Sequence, residues 1–174
     1  MNSKYFGKET LKKILRSKKK IEDKAKVKIN IKNSEVSLEG NEVNIYATEK
    51  VLEAMEKNFP VELALLLLEP EYILESLSIK DITRKKTFER IRSRVIGQYG
   101  RTLQLLSELS DCHITLTNNI INIIGTSEKI KEATNAVKSL VQGSKQANVY
   151  SYLEKSRTKI KPEGLGLKYQ KEKE

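Results

Sequence analysis

At 174 residues, with 33 Lys/Arg against 23 Asp/Glu and a net charge of +10, the chain has room for one large domain or two small ones and calls for a polyanionic partner. Eight glycines and three prolines exclude collagenous and low-complexity designs, and the single cysteine, Cys112, excludes an internal disulfide framework. No apolar run approaches a membrane span and no signal-peptide core opens the chain, so a cytoplasmic protein with no membrane partner is expected.

The charge is zoned. Residues 1–34 hold twelve basic and three acidic residues, 35–75 hold two lysines against ten glutamates, and 76–174 are basic again. Within the first zone, Lys26 to Gly40 (KVKINIKNSEVSLEG) reads as strand, polar turn, strand with period-2 alternation. The same pattern returns at Asp111 to Gly125 (DCHITLTNNIINIIG), at an offset of 85 with no gap. Val27, Ile29, Ile31, Val36 and Leu38 fall on Cys112, Ile114, Leu116, Ile121 and Ile123; Asn33 falls on Asn118 and Gly40 on Gly125. Arg16 and Ile21 upstream meet Arg101 and Leu106, while Ile45, Thr48, Leu52 and Met55 downstream meet Ile130, Ala133, Val137 and Leu140 at helical spacing. The unit is helix–loop–helix–strand–strand–helix, present twice. The expected core includes Val27, Ile29, Ile31, Leu106, Ile114, Leu116, Ile121, Ile123, Val137 and Leu140.

Between the copies, Phe59-Pro60 starts an apolar stretch that predicts a packed helical connector over 59–76. Leu77 to Ile82 (LSIKDI) predicts a strand that opens copy two; in copy one either Lys4 to Phe6 substitutes for it or the strand is missing. Arg84 to Arg101 (RKKTFERIRSRVIGQYGR) then holds seven basic residues against one acid. Phe88, Ile91 and Val95 recur at helical spacing, Gly97 and Gly100 break the helix, and Leu103, Leu105, Leu106 and Leu109 begin another. Past Gly143 comes a short apolar segment, Val149 to Leu153, and from Arg157 a polar, basic tail expected to lack structure past Lys161.

A basic helix, a Gly-x-x-Gly turn, an apolar helix and a hairpin are the layout of a KH domain, whose GXXG loop clamps a four-nucleotide stretch of backbone. Two glycines let sugar and phosphate approach the chain, and the helix that starts there turns its free N–H groups toward the anion. The expected RNA contacts are Arg92, Arg94, Ile96, Gly97, Gln98, Tyr99, Gly100, Arg101, Thr102, Leu103, Ile114 and Thr115, with Arg94 and Arg101 on phosphates and bases turned toward Ile96, Leu103 and strand 112–117. In copy one the glycines are replaced by Lys12-Lys13-Ile14-Leu15, which leaves no room for close backbone approach. The fold expected is therefore α+β, two tandem type I KH-like domains with helices on one face of an antiparallel sheet, the first degenerate. The bounds are 1–58 for the degenerate domain, 59–76 for the connector, 77–145 for the KH domain, and 146–174 for the C-terminal segment and tail.

IRSRVIGQYGRT at 91–102, VYSYLEK at 149–155 and FPVELALLLLEPEY at 59–72 resemble the archaeal KH-domain proteins of small-ribosomal-subunit maturation, whose eukaryotic counterpart is called the partner of the Nob endonuclease. The resemblance implies binding of single-stranded rRNA near the 3′ end of the small-subunit rRNA, within the pre-small ribosomal subunit and together with the Nob endonuclease. The loop departs from the usual KH pattern in having Gln98 and Tyr99, and no basic residue, between its glycines.

No catalytic set presents itself. His113 is the only histidine and reads as a surface strand residue, Cys112 as a small core hydrophobe, and no P-loop or metal spacing occurs. A non-enzyme without cofactors is expected. The alternative is a protein-interaction adaptor that docks a basic partner through the acidic middle, with RNA secondary.

Overall fold

A computed structural model describes residues 3–84 and 87–159. The elements run β1 (Ser3–Tyr5), α1 (Lys8–Ala25), β2 (Lys28–Lys32), β3 (Glu35–Glu39), α2 (Glu42–Glu56), α3 (Val61–Ala64), β4 (Tyr72–Ser78), α4 (Ile79–Ile82), α5 (Phe88–Ile96), α6 (Arg101–Ser110), β5 (His113–Thr117), β6 (Ile120–Thr126), α7 (Ser127–Gln142) and α8 (Gln146–Lys159). One-turn 3-10 segments cover Leu65–Leu68 and Gln98–Gly100. The strands form two antiparallel sheets of three, ordered β1-β3-β2 and β4-β6-β5.

The offset of 85 recurs in the backbone. Lys26 and Asp111 are both left-handed residues that close a helix, bonding back to Glu22 O and Ser107 O. Asn33 and Asn118 both turn their hairpins with positive φ, 49° and 56°. Gly40 lies against Val27 and Gly125 against Cys112, so the same tight strand contact is made twice.

Three expectations change. The strand that opens copy two is Tyr72–Ser78, not 77–82: Tyr72, Leu74 and Ser76 alternate with Ile73, Glu75 and Leu77 along β6, and Ile79 turns into a short helix. The helical part of the connector therefore ends at Leu68. Copy one keeps a shortened opening strand, Ser3–Tyr5, paired with β3. Its helix–loop–helix is a single 18-residue helix, because Lys12 to Leu15 supply no break. The segment after Gly143 is a full helix, α8, packed on α6 and α7. The tail past Lys161 lies outside the described residues.

Of the expected core, Val27, Ile29, Leu106, Ile114, Ile121, Ile123, Val137 and Leu140 are buried, and Ile31 and Leu116 are half-buried at its margin. The helices α5, α6 and α7 cover one face of the second sheet through Ile114, Ile121 and Ile123. The other face is covered as well. Ile124, Leu74 and Tyr72 pack into the cluster of the first unit with Phe59, Leu65 and Leu67, and the hydroxyls of Thr115 and Thr117 donate to Lys57 O at 3.0 and 3.2 Å. A strand buried on both faces carries apolar residues on both, as Ile121 and Ile123 on one side and Ile124 on the other do; Asn122, also buried, accepts from the Ser76 hydroxyl at 2.9 Å. Ile124→Ala empties a fully buried site between the units and lowers stability by about 3 kcal/mol. Urea unfolding checks this; a loss under about 1 kcal/mol means the units do not share a close-packed core.

Candidate nucleic-acid interface

The Gly-x-x-Gly turn is built by three positive-φ residues in four. Gly97 (φ 73°, ψ 176°) ends α5 and donates its N–H to Ser93 O at 2.8 Å. Tyr99 (φ 52°) and Gly100 (φ 77°) are left-handed, and Gly100 N–H closes the turn on Gly97 O at 3.3 Å. The two glycines have different reasons. A Cβ on Gly97 would lie 2.1 Å from Thr102 Oγ1 and 2.8 Å from Thr102 N, so the end of α5 meets the start of α6 with no room for a side chain. A Cβ on Gly100 meets nothing within 4 Å. Beside the turn lies an open cleft of about 420 Å³ lined by Gln98, Tyr99, Arg101 and Gln104. The first turn of α6 begins at Arg101, so its amide groups and positive dipole end lie at the cleft.

The expected contact residues divide. Gln98, Tyr99 and Arg101 are exposed at the cleft, Tyr99 at 98%, and Arg101 has no side-chain partner among the described residues. Ile96 is 39% exposed beside them and Leu103 is half-buried. Arg92 is half-buried and sits 3.9 Å from Glu89. The other four serve the scaffold. Arg94 Nη2 donates to Gly143 O at 3.0 Å and to Ser144 O, while its Nε is buried; the guanidinium closes the C-terminus of α7. Thr102 is buried and accepts from Gln146 Nε2 at 3.0 Å. Ile114 is core. The Thr115 hydroxyl, expected at the bases, is on the opposite sheet face and committed to Lys57 O. Strand alternation alone put Thr115 and Ile114 on different faces, but not which face the loop overlooks.

The corner between α7 and α8 thus grips the loop from behind on both sides, through Arg94 before it and Thr102 after it. Sequence reading missed Gln146 and Ser144, which stand more than 40 residues from their partners; Gly143 alone carried a signal, as a helix end.

Burial pushes the Cys112 thiol up to about 11, so it stays protonated at neutral pH, and burial lowers the pKa of His113 below the ordinary imidazole value. Among the described residues no group of three His, Cys, Asp or Glu converges as a metal site, and no helix is long and apolar enough to cross a membrane.

Residues 73–158 match the model for the second KH domain of PNO1 proteins, described as a eukaryotic-type KH domain (type I). This span starts at β4 and includes α8, the helix whose first residue holds Thr102. The chain is 31% identical over 157 residues to a KH domain-containing protein of Methanocaldococcus jannaschii, covering 83% of this chain and 66% of that one. It is 28% identical over 148 residues to the pre-rRNA-processing protein pno1 of Emericella nidulans, covering 79% and 57%. The chain thus spans from just over half to about two thirds of the length of these curated relatives. Among solved structures it superposes with a TM-score of 0.80 at 27% identity on a chain of the a/eIF2alpha–aDim2p–rRNA complex of Pyrococcus horikoshii, covering 91% of this chain and 94% of that one. The GXXG turn between two helices, the β4-β6-β5 sheet and these likenesses make the chain a PNO1-like KH-domain protein.

Proposed function

We propose that this chain is a single-stranded RNA-binding protein of small-ribosomal-subunit maturation. It binds near the 3′ end of the small-subunit rRNA through the loop of its second unit and assists the Nob endonuclease on the pre-small subunit, without catalysis of its own. The observation that carries the reading is the turn at Gly97–Gly100. It stands beside a cleft lined by Gln98, Tyr99, Arg101 and Gln104 at the start of α6, and the backbone at Gly100 has no neighbour within 4 Å of where a side chain would begin, which leaves it open to a sugar-phosphate. The relatives lend support: one is named a pre-rRNA-processing protein, and the superposed structure is a complex that contains rRNA. The contact set is Arg92, Ile96, Gly97, Gln98, Tyr99, Gly100, Arg101 and Leu103, with Arg94 and Thr102 as residues that position the loop.

In this reading residues 1–58 are a degenerate KH-like unit, since α1 runs through the place of the turn. The second unit begins at Tyr72, and α8 belongs to it. The adaptor reading is weaker because part of the acidic middle is already answered within the chain. Glu53 pairs with Lys57 and Lys50, and Glu62 lies 2.6 Å from Lys20. For Glu53, burial works against the charged form, but the bond and charge of Lys57 and the charge of Lys50 hold the pKa below the usual carboxylate value.

The test is titration of a randomised five-nucleotide single-stranded RNA and a duplex of equal charge, followed by crosslinking to total cellular RNA. Preference for the single strand and recovery of small-subunit rRNA 3′ fragments are expected. Equal binding of the duplex, or RNA affinity lost with the 35–75 glutamates but kept in Gly97→Asp, favours the adaptor.

A further inference from the structure

Helix α1 carries more positive charge than the fold uses. Residues 10–21 hold Lys12, Lys13, Arg16, Lys18, Lys19 and Lys20 and no acid. Lys13, Lys18 and Lys20 are engaged: Lys13 Nζ donates to Asn58 Oδ1 at 3.0 Å, and the Nζ atoms of Lys18 and Lys20 lie 3.8 Å and 2.6 Å from Glu22 and Glu62. The remaining cations form a row with Lys8, the first residue of the helix. Lys8, Lys12, Arg16 and Lys19 recur at i, i+4, i+8 and i+11, which sets them within about 80° of arc and along roughly 16 Å of the helix. All four are exposed and have no partner among the described residues. Glu9 and Asp23 stand at the two ends of the row, and no acid interrupts it. The opposite side of α1 carries Leu11, Ile14, Ile21 and Ala25 and is buried. The row works against its own helix. Like charges at i, i+4 repel, and Lys8 adds a cation to the positive end of the helix dipole. A face that served solubility alone would mix the two signs.

We propose that this row lies along the phosphate backbone of double-helical RNA. The proposal rests on the RNA-binding reading and adds a second kind of RNA structure to it. What the row lacks selects the partner. A bilayer would need the apolar side of α1, which is buried in the core. A protein interface has an apolar or aromatic centre, and the row offers only Leu15. A single strand is held by stacking aromatics or by backbone opened by glycine, and α1 contains neither aromatic residue nor glycine. A duplex backbone asks for cations alone, held in line on a rigid support and spread over several phosphates. Side chains that touch only phosphate carry no sequence information, so the contact positions a stem without reading it. A duplex with the charge of just five nucleotides covers about half of the row, so at that length the single strand on the loop remains preferred.

The experiment uses the full chain, a blunt RNA duplex of twelve base pairs and a randomised five-nucleotide single strand, each titrated at several salt concentrations, with thermal melts of every variant. The wild-type chain is expected to bind the duplex with an affinity that falls with salt. Lys12→Gln combined with Arg16→Gln weakens the duplex about tenfold and reduces its salt slope by roughly two, leaving the five-nucleotide RNA within about twofold. The melting temperature does not fall, because like-charge repulsion along α1 is relieved. Lys131→Gln combined with Lys138→Gln removes the same charge from exposed positions of α7 and leaves the duplex within about twofold. Gly100→Asp, at the loop, also leaves the duplex within about twofold. No duplex binding by the wild-type chain, equal losses from the two paired substitutions, or duplex affinity lost in Gly100→Asp each overturn the row as the contact. A polyglutamate chain bound more tightly than the duplex overturns the choice of partner. The loop reading is judged separately, by whether the wild-type chain binds the five-nucleotide RNA and Gly97→Asp does not.

Discussion

Gly97→Asp should weaken binding of a five-nucleotide single-stranded RNA on the order of a hundredfold, about 2.7 kcal/mol, while Lys13→Asp costs less than about twofold. At Gly97 the φ of 73° with ψ of 176° lies in a region essentially reserved to glycine, and strains any side chain by about 1–3 kcal/mol. The larger penalty is steric: the new Cβ would lie 2.1 Å from Thr102 Oγ1 and 2.8 Å from Thr102 N, and no rotamer change moves the backbone nitrogen. Either α5 and α6 part or the turn rearranges, and in both cases the cleft loses its shape. Gly97→Ala should therefore lose most of what Gly97→Asp loses. Gly100 behaves differently. Gly100→Ala adds only backbone strain, whereas Gly100→Asp sets a carboxylate facing the incoming phosphate and blocks binding with little change in melting temperature. Titration and thermal melts of the five variants check the order. Equal losses from Gly97→Asp and Lys13→Asp would sink the assignment of the second unit as the reader.

Arg94→Ala and Arg101→Ala should fail in opposite ways. Arg94 donates to Gly143 O and Ser144 O at the negative end of α7, so its loss removes a charge-assisted cap and costs about 2 kcal/mol of stability. It also frees the corner that carries Gln146, so RNA affinity falls with the salt slope nearly unchanged. Arg101 is exposed at the cleft and holds nothing in place. Its replacement leaves urea stability within about 0.5 kcal/mol and lowers the salt slope by roughly one, the signature of one lost phosphate contact. Affinity measured from 50 to 300 mM salt, beside denaturation curves, separates the two. A slope reduced by Arg94→Ala at unchanged stability would mean that Arg94 faces RNA after all.

Much of this molecule was legible in one dimension, because the features concerned are local. Alternation at Val27 to Leu38 and Ile114 to Ile123 specifies strands, the glycines at 97 and 100 specify a turn between helices, and an uninterrupted offset of 85 specifies two hairpins of one pattern. The absence of a breaker at Lys12 to Leu15 was equally plain, and α1 runs straight through. The opening strand of the second unit was misplaced because the alternation of Tyr72 to Leu77 sits inside an apolar stretch that reads as helix until β6 is present to pair with it.

Tertiary structure alone decided the roles of the site residues. Periodicity tells which residues share a face, not what covers that face. The outer face of the second sheet is closed by the first unit, so Thr115 bonds Lys57 O and is withdrawn from the bases. Charge tells that Arg94 and Arg101 are both cationic, not that one lies over the carbonyls of Gly143 and Ser144 and the other over open space. The two glycines look equivalent in the chain. Only the fold, by bringing Thr102 against one of them and leaving the other with no neighbour within 4 Å, makes Gly97 a packing requirement and leaves Gly100 free of contacts. Contacts between residues more than 40 positions apart settle these assignments, and no local pattern encodes which long-range partner a side chain meets.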